Sequence, residues 1–263
     1  MKVTILIPVY NEFRTFPQVL DRVLRAPLPE GCTKEIIVID DGSTDGTASM
    51  IAGFAREGAI RAEHSLTNSG KGMAIRAGLA LATGDAVIIQ DGDLEYDPDD
   101  YARLIGPIFE GQAEVVYGSR FPGARNMAFR NRVANAMLTT AANVLFGARI
   151  TDEATAYKAF RVPLLRSLKL GCRRFEFCPE VTAKLCRLGI RIHEVPIRYN
   201  ARGIADGKKI RARDGFEALW TLIRYRFTSI EYRKPSTRPD RDNTDDHRKS
   251  PAATTPAGSP WKR

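Results

Sequence analysis

Long hydrophobic runs, paired cysteines and clustered histidines are all missing from this 263-residue sequence. No stretch approaches the roughly 18–20 consecutive apolar residues that cross a bilayer. The most lipophilic candidate, residues 133–146, is interrupted by Asn135, Thr139, Thr140 and Asn143. Contact with a membrane is compatible with this pattern, whereas a spanning helix is not expected. Cys32, Cys172, Cys178 and Cys186 form no Cys-x-x-Cys pair and the three histidines are scattered, which argues against a zinc site or a disulfide framework. A reducing, cytoplasmic setting is expected. The strand-like Val3-Thr4-Ile5-Leu6-Ile7 follows a single lysine. That leaves no room for the roughly 7–15-residue apolar segment of a signal peptide, so secretion is not expected.

What is present is enough apolar material, 43% of residues, for one substantial α/β core. The net charge of +9 favours anionic partners: nucleic acid, a phosphate-bearing substrate or an acidic membrane surface. Charge alone does not choose among these, but no aromatic-rich basic face points to nucleic-acid readout, and nucleic acid is not expected as a partner.

Short apolar runs at 3–10, 35–40, 60–64, 86–90 and 115–118 alternate with helical patterns near 13–25, 47–56, 71–82 and 98–109. This alternation predicts repeated β-α-β units and a mostly parallel sheet flanked by helices. Ser43-Thr44-Asp45 and Asp97-Pro98 supply helix-start chemistry. The second half predicts helices near 130–146, 179–188 and 215–227 and strands near 156–161 and 190–199, as an extension of the same domain. Beyond Tyr232 the sequence turns to Pro, Ser, Thr, Asp, Arg and Lys, so residues 1–233 are expected to form the domain and 234–263 a disordered basic tail.

In an open parallel sheet, ligands bind beyond the carboxyl ends of the strands. Three apolar runs end in Pro8-Val9-Tyr10-Asn11-Glu12, Ile39-Asp40-Asp41-Gly42-Ser43 and Gln90-Asp91-Gly92-Asp93-Leu94-Glu95. In an extended segment, Asp91, Asp93 and Glu95 would aim three carboxylates the same way. Such a cluster suits a hard divalent cation, Mg²⁺ or Mn²⁺. The same residues could instead form a polar turn into the helix at Pro98. At the second strand end, one of the two adjacent acids can accept hydrogen bonds from a nucleobase or ribose. Asn68-Ser69-Gly70-Lys71-Gly72 has the look of a phosphate-cradling loop without the full pattern, and helix entry is its other reading. Arg198, Arg202, Lys208, Lys209, Arg211 and Arg213, with Gly203 and Gly207, could fold as a lid that clamps a diphosphate, or could be a solvated loop. Arg120 is a further candidate for phosphate contact.

Taken in order, Ile7-Pro8-Val9-Tyr10-Asn11-Glu12, Ile39-Asp40-Asp41-Gly42-Ser43, Asn68-Ser69-Gly70-Lys71-Gly72, Asp91-Gly92-Asp93-Leu94, Gly118-Ser119-Arg120 and the late Arg202 to Lys208 segment resemble a family-2 glycosyltransferase. More narrowly, they resemble the dolichol-phosphate mannose synthase-like polyprenyl-phosphate glycosyltransferases. The resemblance runs from about residue 2 to 230 and implies a GT-A type nucleotide-sugar-binding fold. It implies that Pro8, Tyr10, Glu12, Ile39 and Asp41 surround the base and ribose, with Asp91, Gly92 and Asp93 at the sugar diphosphate. Asp91, Asp93 and Glu95 match the metal-binding places, and Arg120, Arg202 and Lys208 match the phosphate-contacting ones. Arg130 falls near a basic position expected to meet the acceptor phosphate. Gly92 departs mildly from the alanine often found between the two aspartates.

The activity so implied is inverting transfer of a hexose, mannose or glucose, from a GDP-mannose or UDP-glucose type donor to a polyprenyl phosphate. Such an acceptor is already an anion and needs no strong base. A glycan or small hydroxyl acceptor, the alternative within the family, would need one, and Asp152 and Glu153 are the candidates. The helix near 130–146, with Arg125, Arg130, Arg132 and Arg149 around it, reads either as core-packed or as a peripheral contact at the cytoplasmic membrane face. Trp220, Leu222, Ile223, Tyr225 and Phe227 are a second candidate contact. The missing span leaves room for a membrane partner protein.

Overall fold

The structure is a computed structural model that describes residues 1–121, 127–201 and 212–232. Arg125, Arg202, Lys208, Lys209 and Arg211, and the tail expected over 234–263, lie outside the described residues. The strands are β1 (Lys2–Val9), β2 (Thr33–Asp40), β3 (Arg61–His64), β4 (Ala86–Ile89), β5 (Val115–Ser119), β6 (Lys158–Arg161) and β7 (His193–Pro196). The helices are α1 (Phe16–Arg25), α2 (Thr47–Arg56), α3 (Lys71–Leu81), α4 (Tyr101–Phe109), α5 (Phe129–Phe146), α6 (Val162–Ser167), α7 (Phe177–Arg187) and α8 (Ala212–Phe227).

The strands form one sheet in the order β3-β2-β1-β4-β6-β5-β7. The β1–β2, β2–β3, β1–β4 and β5–β7 pairs are parallel, and β6 runs antiparallel to both neighbours. The sheet is therefore mostly parallel, as the alternating pattern predicts. All four residues of β4 are buried, as a central strand covered on both faces requires. Leu6, Ile37, Ile39, Val87, Ile89 and Tyr117 point into one core with Ile75 of α3, Leu138 of α5 and Val181 of α7. Their neighbours Ile5, Ile7, Val38, Ile88 and Tyr157 point into the other with Leu20 of α1 and Ile105 of α4. Helix α3 lies close against the sheet: a Cβ added at Gly78 would stand 2.0 Å from Leu6 Cδ1.

Several elements differ from expectation. The first helix starts at Phe16 rather than 13, because Asn11 is in the left-handed region at φ 51° and the Glu12 carbonyl closes a turn on Thr15 and Phe16. The last strand shrinks to His193–Pro196, an edge strand paired only with β5. The short helix α6, entered through Pro163, was not anticipated.

Glu35 on β2 fastens the opposite end of the sheet from the acidic loops. Its carboxylate accepts hydrogen bonds from Thr4 Oγ1 (2.5 Å), Thr83 N (2.9 Å) and Thr83 Oγ1 (2.6 Å), with Lys2 Nζ at 3.1 Å. Burial alone would raise its pKa, but these donors outweigh burial and bring it down to about 2. A depressed carboxyl stabilises the fold fully above its ordinary pKa, and that stability is lost as pH falls through the depressed value. Glu35→Gln should therefore cost about 2 kcal/mol at neutral pH. In denaturant unfolding, the difference from wild type should shrink as pH falls from 4.5 towards 2.

Candidate active site

The register of β1 with β2 and β4 pairs Val9 with Asp40 and Leu6 with Ile89, so the loops that follow emerge at one edge. Asn11 links the first two: its N–H donates to Ser43 Oγ (2.9 Å) and its Oδ1 accepts from Thr44 N (2.8 Å). Glu12 N donates to Thr47 Oγ1 at 3.0 Å. Pro8, Tyr10 and Glu12 are half-buried along this edge. Ile39 is not exposed there: its side chain is 1% exposed and packs in the core beneath α3, so it presents no surface to a base.

The two adjacent acids divide their work. Asp41 accepts from Ser69 N and Gly70 N, each at 2.8 Å, one through each carboxylate oxygen. Burial raises its pKa, against the pull of these two amides. Gly42, at φ 74°, lets the loops close, since a Cβ there would stand 2.6 Å from the Thr67 carbonyl carbon. Asp40 is 1% exposed; its Oδ2 accepts from Ser43 N (3.3 Å) and lies 3.6 Å from His64 Nδ1. Its Oδ1 is buried with no hydrogen-bond partner among the described residues. The sequence noted both acids and favoured Asp41; the geometry leaves Asp40 the carboxylate with unused capacity.

The Asn68–Gly72 loop is not a phosphate cradle. The first amides of α3 are already taken: Gly72 N donates to Arg174 O and Met73 N to Arg173 O, each at 2.9 Å. Gly70, at φ 99°, packs against the same segment, where a Cβ would meet Arg173 O at 2.5 Å. The loop instead carries Lys71 to Asp91, and its Nζ donates to Asp91 Oδ1. Burial would lower the Lys71 pKa, but Asp91, and more weakly Asp93, leave it raised.

The carboxylates of Asp91, Asp93 and Glu95 do not line up as an extended strand would place them. Strand β4 ends at Ile89, Gln90 still donates its N–H to Leu6 O at 2.9 Å while its side chain accepts from Tyr101 and Tyr157, and residues 92–95 form a bend. Asp93 Oδ1 accepts from Glu95 N at 3.0 Å, and Glu95 Oε2 accepts from Tyr199 OH at 3.1 Å. Among the described residues, no three His, Cys, Asp or Glu are grouped as a metal cluster. The donor set nonetheless fits a hard cation: Asp91 and Asp93 are half-buried oxygen ligands, and a positive charge, the Lys71 ammonium, already stands on Asp91. Buried Gly92 holds the bend against β1, with a Cβ position 3.2 Å from Val9 Cγ2 and 3.4 Å from Pro8 O.

Arg120 follows β5 and is 7% exposed. It forks onto Asp152, Nε to Oδ2 and Nη2 to Oδ1, both at 2.7 Å, and Asn135 Nδ2 adds a 2.9 Å bond to Oδ1. Its guanidinium carbon lies 5.0 Å from the Tyr199 ring centroid. Arg120 is thus tied to the Glu95 bend through Tyr199. Asp152 and Glu153 are both 0% exposed, which removes them as bases for an acceptor hydroxyl. Burial also pushes the Glu153 carboxyl up. Arg130 is exposed in the first turn of α5. Tyr199 and Asn135 belong to the site's framework although sequence reasoning gave them no role there, and Lys71, expected in a phosphate loop, pairs with Asp91 instead. Of these only Lys71 had a signal, the Gly-Lys-Gly that was read as a phosphate loop.

The model of the family described as glycosyl transferase family 2 matches residues 4–169. An undecaprenyl-phosphate mannosyltransferase of Micrococcus luteus is 31% identical over 218 residues, covering 79% of this chain and 87% of its own length. A polyprenol monophosphomannose synthase of Mycolicibacterium smegmatis is 30% identical over 216 residues, covering 78% and 79%. The chain spans a smaller share, 62%, of an undecaprenyl-phosphate 4-deoxy-4-formamido-L-arabinose transferase of Proteus mirabilis, at 31% identity. Among solved structures, glucosyl-3-phosphoglycerate synthase of Mycobacterium tuberculosis in complex with Mn²⁺, uridine diphosphate and glucosyl-3-phosphoglycerate superposes with a TM-score of 0.62. It is 23% identical, and the match covers 85% of this chain and 79% of that one. The fold is of the GT-A type.

Removing one partner of a buried ion pair leaves the other uncompensated, at a cost of about 3–5 kcal/mol. Asp152→Ala should lower the thermal midpoint accordingly. Adding Arg120→Met to that variant should recover part of the loss, which thermal unfolding of the single and double variants will show.

Proposed function

The chain belongs to glycosyl transferase family 2, and we propose that it moves a hexose, mannose or glucose, from a nucleotide-diphosphate sugar to a polyprenyl phosphate with inversion at the anomeric carbon. The observation that carries this reading is the pair of relatives named for polyprenyl-phosphate mannosyl transfer, each matched over most of its length. The burial of Asp152 and Glu153 supports it, because an acceptor that arrives as an anion needs no base to ionise it.

In this reading the base and ribose of a GDP-mannose or UDP-glucose type donor lie over Pro8, Tyr10 and Glu12. Asp41 keeps its place as the proposed contact to the base or ribose, since Asp40 Oδ1 is buried and offers a ligand no open surface. Asp41 also fixes the 68–72 loop through two amides. Asp91 and Asp93 would hold Mg²⁺ or Mn²⁺, which supplies Lewis-acid neutralisation of the departing diphosphate. Glu95 serves as a brace through Tyr199. Arg120, oriented by Asp152, keeps its place beside the bend as a proposed phosphate contact whose position needs no reorganisation. Arg202 and Lys208 keep their place as proposed diphosphate contacts, and Arg130 as the proposed contact to the acceptor phosphate.

The acceptor is lipid-borne, and α5 and α8 supply a face for it. No helix of the described residues is long and apolar enough to cross a membrane. Phe129, Val133, Met137 and Val144 of α5 and Phe216, Trp220 and Phe227 of α8 are exposed, interspersed with exposed Arg130, Arg132, Arg213, Arg224 and Arg226. Apolar side chains among arginines suit an anionic membrane surface.

Incubation with Mn²⁺ or Mg²⁺, a panel of nucleotide sugars and a short polyprenyl phosphate should yield lipid-phosphate-sugar. Transfer to a free glycan alone would overturn the reading. Asp93→Asn should lower turnover by about 100-fold or more while leaving circular dichroism unchanged. In flotation with phosphatidylglycerol vesicles, the pair Phe129→Ser and Trp220→Ser should leave more protein unbound than wild type.

A further inference from the structure

Lys71 has no part in the contacts proposed above, yet the fold takes trouble to place it. It is the first residue of α3, and its backbone is held from several directions. Asp41 binds the amides of Ser69 and Gly70 just before it. The carbonyls of Arg173 and Arg174 bind the amides of Met73 and Gly72 just after it. Gly70 and Gly72 leave no space for a Cβ against that same segment, with contacts of 2.5 and 2.9 Å. On the other side, Gln90 Nε2 donates to the Asp91 carbonyl at 2.9 Å, and the following Gly92 is pressed against β1. Two rigid segments thus meet through one ion pair, Lys71 Nζ on Asp91 Oδ1, each side chain 20% exposed.

A purely structural bridge would serve equally well on any neighbouring pair. This one ends on the carboxylate that, in the reading above, receives the divalent cation. An ammonium and a divalent cation repel, and they compete for the same carboxylate oxygen. With neither present, Asp91 and Asp93 would repel each other two residues apart at a half-buried edge. We propose that Lys71 is a built-in counter-cation that occupies Asp91 in the metal-free protein and has to yield it when a divalent cation binds. The ammonium keeps the acidic bend in place before loading and holds the free protein's metal affinity down. This inference rests on the assignment of Asp91 and Asp93 as the metal-holding pair.

The test reads metal binding directly, without turnover. Mn²⁺ is titrated into chelator-treated, dialysed protein with no nucleotide present, and free Mn²⁺ is followed by electron paramagnetic resonance. Lys71→Met and Lys71→Gln should each tighten Mn²⁺ binding about three- to five-fold, the scale of a solvent-accessible ion pair. Lys71→Arg, which keeps the charge, should not tighten it. Asp91→Asn should weaken binding, and Lys71→Met should bring no gain in the Asp91→Asn background, as a direct coupling requires. Circular dichroism shows that each variant is folded. Wild-type binding that Lys71→Met and Lys71→Gln leave unchanged or weaken would overturn the counter-cation and leave the metal assignment standing. No binding in wild type or in either neutral variant would remove the metal assignment and this inference with it.

Discussion

A carboxylate drawn out of water is costly unless amide hydrogens or a cation replace its hydration, and the ends of β2, β4 and β5 carry or face several such carboxylates. Each is matched differently. Asp41 is bound by two amides, Asp91 by an ammonium, and Asp152 by a guanidinium and a carboxamide. The differences set what each group can still do. A carboxylate with both oxygens on backbone amides is a fastener, whereas one held by a single displaceable side chain can exchange its partner.

The fasteners form a chain that runs well beyond the edge. Glu180 of α7 accepts from Gly171 N (2.7 Å), Cys172 N (2.6 Å), Lys184 Nζ (2.6 Å) and Tyr225 OH (2.8 Å) of α8. Glu176 accepts from the next two amides, Arg173 N and Arg174 N. The carbonyls of that same segment then hold the start of α3, and α3 presents Lys71 to Asp91. The second half of the chain thereby sets the position of a side chain that the first half places at the site.

This chain of contacts also explains which features were legible in the sequence. The strands and the shared acidic edge could be read because Val3 to Val9, Ile36 to Ile39 and Ala86 to Ile89 carry their signal in local composition. The role of Asn68-Ser69-Gly70-Lys71-Gly72 could not, since a Gly-Lys-Gly turn has the same local chemistry whether its amides meet a phosphate or the carbonyls of Arg173 and Arg174. The alignment of Asp91, Asp93 and Glu95 assumed that β4 continues. It ends at Ile89 and the chain bends over residues 92–95, where Glu95 is drawn to Tyr199, a residue more than a hundred positions away in sequence. Asp152 looked like a free acid because nothing near it in sequence announces Arg120. Period and turn chemistry are local, while the spending of a charged group is decided by whatever the fold sets opposite it.

Helix α5 joins the two halves of the proposed reaction. On its buried side, Asn135 binds Asp152 at 2.9 Å and Thr139 Oγ1 accepts from Glu153 N at 3.0 Å, so it holds the turn that orients Arg120. On its exposed side stand Phe129, Val133 and Met137, the proposed lipid contacts. An α-helix with its hydrogen bonds intact transmits position along its axis with little give. The surface proposed to meet a membrane and the residues that fix the buried Arg120 are therefore set by one rigid element. A lipid phosphate approaching along α5 meets a site whose charges already have their places, which suits an acceptor that brings its own negative charge and asks only to be positioned.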